Sequence, residues 1–177
     1  MPITKSDWAR AFALQALSDL RAREMLVSSN AEKCHRLHFL QMAAEKTCKA
    51  HLIQANGNDS VRKSHAYVAN VLPVIARHFY SIANNENRMA QWEVEQIKRL
   101  AHEIELLCPA CDEGSTREDN SEYPWLDAQG TLQVPCQYNF PGIDDGSRDI
   151  VRLIKLIRTA SEFYARNLND AQGAVAT

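Results

Sequence analysis

Two groups of side chains in this sequence have the types and spacing that chemistry needs. Cys108-Pro109-Ala110-Cys111 is a thiol pair at metal-ligand spacing, and Cys136 together with His102, farther back on the same helical stretch, would complete a set of four. A zinc ion held that way would clasp a long loop to the end of a helix. Structural zinc sites usually offer two such pairs, however, and this chain offers one pair and two strays. The plainer reading is therefore thiols without a metal, and no cofactor is expected. Redox chemistry fits less well, because a helix C-terminus has the wrong dipole sign for lowering a thiol pKa.

The second group starts from Glu45 and Lys49, four residues apart in the favoured order for an intrahelical ion pair. An exposed pair of this kind contributes about 0.3 to 0.5 kcal/mol and nothing more. The functional alternative places both on an inner polar seam near His65, where Lys49 would meet a phosphate or nucleotide. Arg62, Lys63 and His65, with Arg77 and His78 beyond them, make the one dense basic patch in the middle of the chain. His65 or His78 could serve as a general acid or base, although a histidine on a helix is more often a surface residue. No phosphate-cradling glycine loop, Ser-His-Asp trail or pair of catalytic carboxylates is legible.

The elements that must carry these residues are helices. Glycine and proline number six each, and residues 3 to 56 contain neither. Ser6 is placed to cap a first helix in which Trp8, Phe12, Ala16 and Leu20 recur every four residues, ending near Ser28 to Asn30. A second, from about Glu32 to Ala55, carries Leu37, Leu40, Ala44, Thr47 and Cys48 on one side and stops at Asn56-Gly57. The third opens at Ser60 and continues Tyr67, Val71 and Ile75 across Pro73, where the missing N–H predicts a kink or break. The fourth, from about Arg88 to Leu107, repeats Val94, Ile97, Ala101 and Ile104 and is stopped by Pro109. Ser147 caps the last, Arg148 to about Leu168, which is apolar on most sides and is expected to be the most buried.

Between Pro109 and Ser147 lies a stretch without helical periodicity, far longer than the usual connection of about 4 to 6 residues. Asp112 to Asp127 holds six acids and one base, Arg117, and reads as solvated. The aromatic runs around Trp125 and from Pro135 to Pro141 are expected to fold back on the helices, with one short extended stretch at Leu132 to Val134 between them. Trp8, Phe12 and Trp92 fall on apolar stripes and are expected in the core. The expected fold is thus an all-α, up-and-down bundle of four long helices plus a broken helix at Pro73. It forms a single domain over residues 1–168, with 109–147 as a long irregular loop and 169–177 as a frayed tail.

The second helix reads His38-Phe39-Leu40-Gln41-Met42-Ala43-Ala44-Glu45-Lys46-Thr47-Cys48-Lys49-Ala50-His51-Leu52. It resembles the second helix of HEPN domains, whose recurring text is an apolar-Gln-x-Ala-x-Glu-Lys-x-x-Lys-Ala-x-Leu run. Ser64-His65 opening the next helix, Tyr123-Pro124-Trp125, Val134-Pro135 and the final apolar helix agree with it, over about residues 8 to 168. The resemblance implies a helical bundle, frequently a homodimer, associated with RNA cleavage, nucleotide binding or partnership with a small nucleotidyltransferase in bacterial defence and toxin-antitoxin systems. HEPN ribonucleases share an Arg-x(4 to 6)-His motif, and none of the six histidines here has an arginine at that spacing before it. The expected function is accordingly a non-catalytic interaction or nucleotide/RNA-binding module. The alternative is a diverged, metal-independent ribonuclease using Arg77, His78 or His65.

Bulk properties agree. Twenty basic and 22 acidic residues leave a formal charge of -2, so no overall positive field draws nucleic acid, and any such contact must be local. Apolar runs are far short of the roughly 20 residues that span a bilayer, and Lys5, Asp7 and Arg10 interrupt the N-terminus. Five cysteines, an odd number, argue for reduced thiols. Cytoplasmic residence without membrane contact is the expectation.

Overall fold

The computed structural model describes residues 2–56, 61, 65, 67–84, 89–109 and 119–166. The expected cap at Ser60, the basic residues Arg62 and Lys63, Cys111, the acidic stretch 112–118 and the tail 169–177 lie outside them. Among the described residues the architecture is a mainly α bundle: α1 (Lys5–Ser28), α2 (Lys33–Asn56), α3 (Val68–Asn84), α4 (Gln91–Glu105) and α5 (Arg148–Ala165). No described helix is long and apolar enough to cross a membrane.

α1 begins two residues earlier than Ser6 would put it. Thr4 is the N-cap: its hydroxyl accepts from the Asp7 N–H at 3.2 Å while the Thr4 N–H donates to Asp7 Oδ2 at 2.8 Å. Two donors that a helix start would otherwise leave open are satisfied reciprocally. The resulting frame buries Ala9, Ala13, Ala16 and Leu20, and these meet Ala43, Ala44 and Ala50 of α2, all fully buried. Small side chains on both helices let the axes approach closely.

α2 is the central element, packing against α1, α3, α4 and α5. Leu37, Leu40, Ala44 and Cys48 share one core with Ile150, Leu153 and Ile157 of α5. The expectation that the last helix is the most buried is corrected here. α5 presents one buried face and leaves Val151 and Phe163 exposed, whereas α2 is surrounded. α3 also departs from expectation, since it runs through Pro73 as one helix. A proline within the first two turns forfeits one backbone bond and need not end the helix when its ring is buried, as Pro73 is.

The described part of the long loop is ordered by local chemistry. Trp125–Leu126 (β1) and Leu132–Gln133 (β2) pair antiparallel, Trp125 opposite Gln133, where a single extended stretch was expected. Asp127 organises the turn. Its Oδ1 accepts from the N–H groups of Gln129 at 3.0 Å and Thr131 at 2.8 Å, its carbonyl accepts from Gly130, and Gly130 takes the positive φ of 76° that the turn requires. Backbone and side-chain donors at Thr131 and Gln133 hold the Asp127 carboxyl below its ordinary range. Trp125, Tyr138 and Phe140 then stack edge to face at 5.0 Å centroid spacings, and Phe140 is fully buried. Trp125 and the aromatics of the second run therefore dock as expected, whereas Tyr123 is exposed, and Lys33 secures the second run by donating to the Asn139 carbonyl at 2.7 Å. Arg23 of α1 and Arg36 of α2 both pair with Asp145, tying the loop's end to the bundle just before α5.

Candidate functional site

The α2 stripe Gln41, Glu45 and Lys49 recurs every four residues, so all three lie on one face of the helix. They are almost wholly buried, at 1, 3 and 5% exposure. The exposed-pair reading of Glu45 and Lys49 is thereby corrected, because this is an internal polar seam. Lys49 Nζ lies 2.7 Å from Glu45 Oε1 and sits over the Phe12 ring of α1, 5.6 Å from its centroid. The other carboxylate oxygen, Oε2, accepts from Gln41 Nε2 at 3.1 Å and faces His65 Nδ1 at 3.3 Å. Gln41 Oε1 is buried and has no hydrogen-bond partner among the described residues. Below the seam, Cys48 is fully buried, and burial together with Glu105 and Glu45 holds its thiol protonated. Glu105 accepts from the Tyr67 N–H at 2.7 Å and so fixes the start of α3.

Cys108, three residues past the end of α4, reaches the same place. Donor atoms of Glu45, His65 and Cys108 all lie within 4.8 Å of one another. Glu45 and Cys108 are buried, while the His65 side chain is half exposed. The two groups singled out in the sequence thus meet, with Glu45 and His65 from the seam and Cys108 from the thiol pair.

The other proposed partners lie elsewhere. Cys136 is exposed on a 3-10 turn, Pro135–Gln137, that packs against α2 near Cys34 at the beginning of that helix, whose thiol is pushed up chiefly by burial. From there to Glu45 is about 16 Å along the helix axis. His102 is exposed on α4. The four-ligand clasp is therefore not assembled among the described residues. Arg77 and His78 are exposed on α3, about 15 Å of helix beyond its start near His65. His78 neighbours a different histidine, His51.

His51 Nδ1 lies 2.7 Å from the Tyr164 hydroxyl of α5. Burial and the adjacent His78 lower the His51 pKa, and burial pushes Tyr164 up to about 12. The folded state thus binds a proton at His51 less readily than the unfolded chain. Stability from this group is present above the ordinary value of 6.5 and is lost as pH falls below it. Urea midpoints measured across that range should fall with acidification, and a His51→Gln variant should flatten the fall. An unchanged slope in the variant would place the sensitivity elsewhere.

A second feature was not legible in the sequence. Between α3, α4 and α5 lies an apolar cleft of about 270 Å³, lined by Phe79, Trp92, Ile97, Leu100, Leu153 and Leu156 and rimmed by Glu93, Asp149, Arg152 and Lys155. Trp92, expected in the core, is 60% exposed at its mouth. Trp8 and Phe12 are partly buried against a small satellite cluster of Ala9, Ile53 and Val61. Trp92 follows the helical period of α4, but among the described residues no side chain closes over it.

Comparison with protein-family models, with curated proteins and with solved structures returns no match for this chain.

Proposed function

We propose that the chain is a non-catalytic, HEPN-like interaction module that works as a homodimer, with the cleft between α3, α4 and α5 as its docking face. The observation that carries this reading is Trp92, a large aromatic side chain left 60% exposed at the mouth of an apolar cleft. Aromatic anchors beside apolar clefts ringed by charges of both signs are what protein interfaces are made of. The rim offers Glu93 and Asp149 against Arg152 and Lys155, so a second copy brings complementary charge to the same face. A nucleotidyltransferase, the partner class that the resemblance implies, would then meet a dimer.

Nucleotide or RNA binding at the seam has less support. Lys49 is 5% exposed and held by Glu45. The ribonuclease alternative lacks an assembled acid and base, since His65 precedes α3 and His78 lies about 15 Å of helix beyond its start.

Light scattering tests the proposal. The wild-type chain should elute at twice its 20.0 kDa mass, and Trp92→Glu should elute as a monomer with little change in thermal stability, because the site is exposed. A monomeric wild type at about 100 µM, where weak dimers with Kd near 10 µM are mostly associated, would contradict the reading. So would a Trp92→Glu dimer.

A further inference from the structure

We propose that Glu45, His65 and Cys108 form a mononuclear binding site for a zinc-class divalent cation. Three different segments, α2, the strand of chain before α3 and the chain just past the end of α4, bring a carboxylate, an imidazole and a thiol together with donor atoms within 4.8 Å of one another. Oxygen, nitrogen and sulfur donors in one set suit zinc rather than magnesium or calcium, which take oxygen alone. Zinc bonds of about 2.0 to 2.3 Å place ligand atoms roughly 3.3 to 3.8 Å apart in a tetrahedron; Glu45 Oε2 and His65 Nδ1 already stand 3.3 Å apart, and the Cys108 sulfur needs to draw in by about an ångström at most.

Within the seam each oxygen has its own task. Lys49 holds Glu45 Oε1, leaving Oε2, the oxygen that already faces His65. Gln41, one turn earlier, carries a buried oxygen with no partner among the described residues, and rotation of its amide would present that oxygen to the cation. Glu45 and Cys108 are buried and the half-exposed side of His65 gives the ion a way in. On binding, the sulfur–metal bond forms as the Cys108 S–H proton leaves to solvent, and His65 exchanges its contact with Glu45 for one with the ion. No oxidation or reduction is involved. With three protein ligands the fourth position is left to Gln41 or water.

The site differs from the clasp that the Cys-Pro-Ala-Cys spacing suggests, and the two are told apart by their ligands. Untagged, chelator-treated full-length protein is titrated with Co2+ and Zn2+, with circular dichroism recorded on every variant. One equivalent should bind, with the near-ultraviolet thiolate-to-cobalt absorption of a single sulfur ligand. Cys108→Ser should abolish that absorption. His65→Ala, at a half-exposed residue, should weaken Zn2+ binding at least tenfold, while His102→Ala and Cys136→Ser leave both signals unchanged. If Cys108→Ser fails to fold, His65→Ala decides the matter. No stoichiometric binding, binding unaffected by His65→Ala, or binding lost in His102→Ala or Cys136→Ser would overturn the proposal.

Discussion

Lys49→Met should destabilise the fold by about 3 to 5 kcal/mol, the cost of leaving a buried charge without its partner. Glu45 is 3% exposed and its Oε1 receives Lys49 at 2.7 Å. With the ammonium gone, Oε1 loses its charged partner, while Oε2 keeps the Gln41 N–H and its contact with His65. Methionine fills the volume of the stem and keeps contact with the Phe12 ring, so the loss isolates charge from packing. Restoring neutrality with Glu45→Gln in the Lys49→Met background should return most of the stability, because the replaced pair leaves no uncompensated charge. Guanidinium unfolding of the wild type, both single variants and the double variant measures this cycle. A Lys49→Met chain within about 1 kcal/mol of wild type would mean that the pair behaves as a surface pair, with water reaching it.

Leu40→Asp should abolish the folded state. Leu40 is fully buried on the central helix, in the same core as Ile150, Leu153 and Ile157 of α5 and Ile75 of α3. Removing the side chain alone costs about 2 to 5 kcal/mol, and an unpaired carboxylate in its place adds a desolvation penalty. Against a total stability of about 5 to 15 kcal/mol, the sum is enough to unfold the domain. Loss of near-ultraviolet circular dichroism and of cooperative thermal unfolding is expected. A variant that melts at the wild-type temperature would show that α2 is not inside.

The helices were legible in the sequence because period and punctuation agreed. The stripe Val94, Ile97, Ala101 and Ile104 and the Ser147 cap, whose hydroxyl accepts from the Ile150 N–H at 3.3 Å, are local patterns that burial reinforces. Details that depend on neighbours were not. Pro73 is carried through α3 because its ring is buried, a fact that only the packed structure supplies. Ser6 yields to Thr4 because Asp7 completes the reciprocal bonding with a cap two residues earlier. Asp127 reads as one acid among six, yet it builds the hairpin turn.

The candidate site was half legible. Glu45, Lys49 and His65 stood out by spacing and resemblance, and Cys108 by its pairing with Cys111. That Cys108 meets Glu45 instead of Cys136 depends on the packing of α4 against α2, which no spacing along the chain encodes. The α3–α4–α5 cleft depends on how the described helices pack around Trp92, and an apolar stripe looks the same whether or not a neighbour closes over it.

The central claim is that the Trp92 face is covered by a second copy of the chain. Fluorine NMR of protein labelled with 5-fluorotryptophan reports on Trp8, Trp92 and Trp125 separately, once a Trp92→Phe spectrum assigns the middle one. Trp125 is 9% exposed and Trp8 lies against its own cluster, so both serve as internal references. On dilution through the dissociation range, the Trp92 resonance should move towards its solvent-exposed position while the other two stay fixed. A Trp92 resonance that keeps its position at every concentration, in protein that light scattering shows passing from dimer to monomer, would contradict the account.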